Sequence, residues 1–436
     1  MNLHIFDRME SEVRGYIRSF PVIFNQARGS ILKDESGREY VDFFSGAGTL
    51  NYGHNNPVLK DKVLEYLETD GLIHGLDMAT TAKKYFIETF ERVILKPRQQ
   101  EYTLQFTGPT GTNAVEAALK LARQVKGRHN IISFTHGFHG MSGGSLAVTA
   151  NSKYREAAGM NLSNASFMPF DGYFGPDVNT ISYLERMLED SSSGVDHPAA
   201  VIVETVQGEG GVNVASKQWL RDLERVCRQY DMLLIVDDIQ VGCGRTGSFF
   251  SFESAGIKPD IITLSKSLSG FGLPMSLVLF KPELDVWEPG AHTGTFRGNN
   301  LAFVTAAQVL ESYWMDDQFS NEVARKEELV RNWLENLVQS YPMADLTVRG
   351  RGLIQGLVMP NGDGEMAARI ARKAFEKGLV IETSGANDEV LKVLPALTIP
   401  DEELKRGLEI LERSVAEELS SKGVAAHVLK FGGKGQ

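Results

Sequence analysis

From residue 199 onward, runs that are apolar at nearly every position alternate with a stretch of helical spacing. AAVIVETV (199–206), MLLIVDD (232–238) and DIITLS (260–265) are each too continuous for a strand with one wet face, so they predict buried strands. Between the first two, Trp219, Leu220, Leu223, Val226, Cys227 and Tyr230 recur every three or four positions and predict an amphipathic helix. Upstream, FTGPTGTNAVEAALKLAR (106–123) passes from a Gly/Thr-rich turn into a helix whose Val115, Ala118, Leu119 and Ala122 share a face. The expected fold class is α/β, with a mostly parallel central sheet flanked by helices. The polar patch EDSSSGVDHP (189–198) reads as a surface loop. Beyond residue 310 the texture changes to long charged helices, of which 401–419 carries Leu404, Leu408, Leu411 and Val415 on one stripe. Between them VRGRGLIQGLVM (348–359) and VLKVLPALTI (390–399) predict a smaller C-terminal α+β unit, and the tail KFGGKGQ (430–436) is expected to be mobile.

Composition narrows the class without naming a ligand. The 436 residues are 42% apolar and 23% charged, the balance of an ordinary globular chain of enzyme size. A net charge of −11 argues against nucleic-acid binding, which needs surplus clustered Lys and Arg. The two cysteines, Cys227 and Cys243, fit neither a disulfide scaffold nor a metal site, and the charged start MNLHIFDRMESEVRGY lacks the apolar core of a signal peptide. No apolar run approaches the roughly 18 residues of a membrane span, so a cytoplasmic protein is expected.

Open parallel sheets bind ligands outside the carboxyl ends of their strands. Three predicted strands finish in reactive groups there: Glu204, the pair Asp237 and Asp238, and Lys266. A strand-end Asp often serves only as a turn former, and a lone Lys often reaches the surface along its own stem. A desolvated lysine, however, loses its proton readily and attacks carbonyls. GCGRTG (242–247) matches the dinucleotide pattern GxGxxG, but the segment that follows, SFFSFESAGIKPD, has no helical period, which counts against nucleotide binding. The turn at Thr110, Gly111 and Thr112 is a better anion site, because a helix N-terminus offers free N–H groups and the positive end of its dipole. A phosphate cradle, an aldehyde-capturing lysine and a carboxylate to hold a ring nitrogen protonated are together what pyridoxal 5'-phosphate requires. In that arrangement Asp237 takes the ring nitrogen, and Phe138 of THGFHG (135–140) is placed to stack on the ring.

With those residues in hand, the chain from about 20 to 415 resembles the class III (omega) aminotransferases of pyridoxal phosphate fold type I. LIVDDIQVGCGRTG, LSKSLSGFGLP, PTGTNAVEAALKLAR and FHG are similar to their motifs. The resemblance implies Lys266 as the residue bound to the cofactor, Asp237 on its ring nitrogen, Gln240 near its ring hydroxyl, and Thr110, Gly111 and Thr112 at its phosphate. It places Phe138 and His139 at the ring, with Glu204 also in the cofactor site. TGTFRGN implies that Thr295 reaches the neighbouring subunit's phosphate, hence a homodimer or larger assembly with composite active sites. It also implies a division into an N-terminal segment (1–55) that joins the small domain and the substrate pocket, a cofactor-binding large domain (56–310) and a C-terminal small domain (311–436).

Three positions bear on substrate. The family usually has Arg where this chain has Lys392, and Glu209 of ETVQGEGG matches the acid that pairs with that Arg, so an adaptable Glu209/Lys392 pair is expected to admit two different substrates. Ala47, where some relatives carry an aromatic residue, leaves the pocket roomier. The segments 5–29, 43–57 and 70–83 resemble the branch of the family that moves the amino group of L-glutamate to L-aspartate 4-semialdehyde, in ping-pong fashion, during synthesis of the osmoprotectant ectoine. The pyridoxal phosphate residues alone also admit a transaminase of 4-aminobutyrate, acetylornithine or ornithine, and a non-enzymatic regulator that binds the cofactor.

Overall fold

A computed structural model describes residues 3–421 and 423; the tail 430–436 lies outside the described residues. Its centre is a seven-stranded sheet: β1 (Thr103–Phe106), β2 (Ile131–Phe134), β3 (Ala165–Met168), β4 (Ala200–Val203), β5 (Leu233–Asp237), β6 (Ile261–Leu264) and β7 (Leu277–Phe280), in the order β1-β7-β6-β5-β4-β2-β3. All three continuous apolar runs are strands, adjacent and parallel, with Val203 beside Val236 and Asp237 beside Thr263. Alternate residues face opposite sides, and both sides are buried. Ala200, Ile202 and Ile235 join one core with the helix α1 (Gly111–Lys126), while Val201, Val203 and Val236 join another with α2 (Lys217–Gln229).

The sheet departs from a purely parallel one at β7, which runs antiparallel to both β6 and β1. The link from β6 to β7 (265–276) holds no crossover helix, only a short 3₁₀ turn (266–269) that carries Lys266, and the chain turns back. GCGRTG opens no helix; it lies in a run of buried turns in which Arg245 is fully enclosed.

The C-terminal residues form an antiparallel sheet of β8 (Thr347–Arg351), β9 (Ile354–Val358), β10 (Glu382–Ser384) and β11 (Val390–Val393), ordered β8-β9-β11-β10. The helices 318–340, 364–376 and 401–421 cover it. N-terminal strands Phe24–Arg28, Ile31–Asp34 and Glu39–Asp42 make a further sheet that Leu379–Val380 completes, so Val41 and Phe43 are buried with Leu334, Leu404 and Leu408. No helix among the described residues is long and apolar enough to cross a membrane.

Candidate active site

Because β4, β5 and β6 are neighbours, Glu204, Asp237 and Lys266 emerge at one edge of the sheet. Lys266 follows an extended Ser265 (φ −162°) and itself takes φ 45°, a left-handed backbone that few residues other than glycine adopt. Its ammonium makes no hydrogen bond or ion pair to a described residue. Burial lowers its pKa, against the attraction of Glu209 and with the repulsion of Lys392.

Asp237 is buried and fully engaged. Oδ2 lies 2.7 Å from His139 Nδ1, and Oδ1 accepts from Thr263 Oγ1 at 3.0 Å and from the Ile239 amide at 3.2 Å. Burial by itself would lower the pKa of His139, but the hydrogen bond and charge of Asp237 raise it, favouring a protonated ring beside the carboxylate. Glu204 Oε2 accepts from the Phe138 amide at 3.0 Å, and burial pushes its carboxyl up to about 7. Asp238 turns away to the amide and hydroxyl of Ser251. A cavity of about 170 Å³ joins Lys266, Asp237, His139, Phe138, Glu204 and Gln240 with Gly111 and Thr112.

Thr110 caps α1, its hydroxyl taking the Asn113 amide, so the free amides at Gly111 and Thr112 open the helix. The Thr112 hydroxyl is held by Ser142 (2.9 Å) and Ser145, and Glu116 accepts from the Ser142 hydroxyl and the Ser145 amide. Ser142 and Ser145 gave no distinctive sequence pattern; only the fold brings their loop to the turn. Thr110 is exposed outside the cavity, as is Thr295. The Thr295 segment nevertheless runs beside the turn, since a Cβ on Gly294 would lie 2.9 Å from the Gly108 amide nitrogen.

On the other side, Glu209 connects this cavity with a groove of about 600 Å³ lined by Tyr16, Tyr154 and Glu382. Lys392 is wholly buried and donates to Glu209 Oε1 at 2.7 Å, with Glu382 Oε1 at 2.9 Å. Burial alone would raise Glu209, but Lys392 above all holds it down to about 2, and the two acids raise Lys392. The expected Glu209/Lys392 pair is therefore a trio. Glu382 was missed, although an acid inside the apolar run LVIETS (379–384) is itself a sign of a buried partner. Gln240 Nε2 donates to Glu209 Oε1 (2.9 Å) and to Ala47 O (3.1 Å), while its buried Oε1 has no partner. Ala47 sits in a left-handed run, residues 45–48, and contributes its carbonyl at the edge of the site rather than a wall of the inner cavity.

A cavity lysine without a partner, a paired carboxylate, an orphaned amide oxygen and open helix amides suit a phosphorylated pyridine aldehyde. The chain belongs to the class III aminotransferases, whose family pattern it matches over residues 14–415, and it is thus a pyridoxal phosphate enzyme. It is 77% identical over 434 residues to the diaminobutyrate–2-oxoglutarate transaminase of Bordetella parapertussis, covering 100% of both chains. To the enzyme of the same name from Halomonas elongata it is 57% identical over 429 residues, covering 96% of this chain and 100% of that one. The ornithine aminotransferase of Toxoplasma gondii, solved with partial occupancy of PLP, superposes with a TM-score of 0.81 at 25% identity, covering 96% and 94%.

Proposed function

We propose that the protein transfers the amino group of L-glutamate to L-aspartate 4-semialdehyde, yielding L-2,4-diaminobutyrate and 2-oxoglutarate in two half-reactions at one site, in the cytoplasm and toward ectoine. The full-length 77% identity to a diaminobutyrate–2-oxoglutarate transaminase carries the choice of substrates. The cavity that unites Lys266, Asp237 and the α1 N-terminus supports the chemistry.

Lys266 would hold the cofactor through its aldehyde, and its amine, once freed, would take and return the proton at the reacting carbon of the substrate. Its lowered pKa keeps a neutral fraction available for that transfer. Asp237, fixed by His139 and Thr263, keeps the ring nitrogen protonated. Bound there, pyridoxal phosphate supplies the electron sink that makes the carbon acidic. Gly111 and Thr112 hold the phosphate, with Thr110 capping the turn, and Phe138 covers the ring; Glu204 fixes Phe138 through its amide. Gln240 takes the ring hydroxyl with its free Oε1. Thr295, exposed beside the turn, serves the neighbouring subunit's phosphate in a homodimer.

Borohydride reduction of the holoenzyme followed by peptide mapping should label Lys266, and Lys266→Ala should lose turnover. Label at another position would overturn the site. Single-turnover spectra should show conversion by glutamate and by diaminobutyrate; conversion by ornithine or acetylornithine but not by diaminobutyrate would overturn the substrate.

A further inference from the structure

We propose that Glu382 is the residue that distinguishes the two substrate couples, by accepting the α-ammonium of diaminobutyrate or of the semialdehyde. This rests on the substrate reading above. In that reading the two couples differ at their far ends. When the γ-amine of diaminobutyrate reacts, an α-ammonium and an α-carboxylate remain at the distal end. When glutamate reacts, only a carboxylate does. A site serving both needs a cation throughout and an anion for one couple alone.

The trio around Lys392 has that composition. Glu209 Oε1 takes the hydrogen bond of Lys392 and a second from Gln240, so it is satisfied. Glu382 is only 8% exposed, and its Oε1 pairs with Lys392 Nζ alone, at 2.9 Å, sharing that ammonium with Glu209. Glu209 has a second donor in Gln240 while Glu382 has only its share of Lys392, so Glu382 is the acid with capacity left for a donor from a ligand. Glu382 lines the groove that Glu209 joins to the Lys266 cavity, so the position is at the entrance rather than behind it. Two carboxylates around one ammonium leave a net negative charge, which an incoming ammonium neutralises and an incoming carboxylate meets as repulsion. Burial already pushes Glu382 up to about 7, so it can be neutral beside a dicarboxylate and ionised beside an ammonium.

The test uses the holoenzyme with two probes differing by one group: L-2,4-diaminobutyrate, and 4-aminobutyrate, which lacks the α-amino group. The half-reaction with each, and with glutamate, is followed in the wild type, Glu382→Gln and Glu382→Asp. The wild type should favour diaminobutyrate over 4-aminobutyrate by about tenfold or more in second-order rate constant, the scale of one charge-assisted hydrogen bond. Glu382→Gln should collapse that ratio while the glutamate rate rises or at least does not fall, because a repelling carboxylate is gone, and Glu382→Asp should keep most of the ratio. A wild-type ratio near one, or a Gln variant that slows all three amines alike, overturns the role of Glu382. A wild type that fails to convert diaminobutyrate at all overturns the substrate reading beneath it.

Discussion

His139 is a positioning residue for Asp237: its Nδ1 supplies one of three donors to that buried carboxylate, and the pair is enclosed together. Removing a hydrogen bond between charged partners costs about 1.5–3 kcal/mol, and Asp237 is the group that must stay ionised against the cofactor ring. His139→Ala should therefore lower kcat/KM about 10- to 100-fold and shift the visible absorption maximum of the holoenzyme. Unchanged spectra and rates would show that Thr263 and the Ile239 amide suffice. At this scale the sequence was readable where a side chain ends a strand, because period and sheet rules alone place Glu204, Asp237 and Lys266 on one edge. The family resemblance supplied Glu209 as a partner of Lys392, but the sequence was silent on Glu382. Glu209 and Glu382 approach it from sequence distances of 183 and 10 residues, and no local pattern encodes the first of those meetings.

The turn between β6 and β7 shows what an element adds to its residues. Lys266 is held at φ 45° by a short 3₁₀ turn (266–269) that Gly270 closes at φ 73°, with the helix Asn300–Tyr313 packed against it. A Cβ on Gly270 would run into Val309 Cγ2 on that helix, so neither the conformation nor the space tolerates a side chain. Gly270→Ala should cost about 2–4 kcal/mol and lower both the melting temperature and the yield of Lys266 reduced onto the cofactor. A normal melting temperature with normal labelling would mean that the turn adapts. The strands themselves were legible as continuous apolar runs, and the Asn113-to-Thr110 cap confirms where α1 begins. The reversal at β7 was not legible, since SLVLF reads the same in a parallel or an antiparallel strand.

Across the whole molecule, buried polar chains tie distant segments to the site. Arg245 donates to Asn51 Oδ1 and to the carbonyls of Leu353 and Pro395, pinning the N-terminal and C-terminal residues to the loop after β5. Nearby, Arg351 of β8 reaches Thr205 Oγ1, Thr205 donates to Ser251, and Ser251 donates to Asp238, next to Asp237. Such closure over more than 100 residues of sequence could not be read from GCGRTG, whose spacing suggests a nucleotide loop while its arginine serves as a buried strut. Burial, opposed by the Ser251 hydrogen bonds, raises Asp238 to about 7. The folded state thus keeps a proton that the unfolded chain releases near pH 4. The resulting stabilisation is complete below that value and fades as pH rises through 7, with a ceiling of about 4 kcal/mol. Other groups titrate as well: Glu209, held down to about 2, contributes stability above pH 4.5 that is lost only in acid. A difference between two variants cancels them. Asp238→Asn carries no charge at any pH and keeps an oxygen for Ser251, so its melting temperature relative to the wild type should rise from pH 5 to about pH 7 and then level off. Parallel pH profiles for the two proteins would mean that Asp238 is already ionised at pH 5, with Arg351 and the Ser251 donors outweighing its burial.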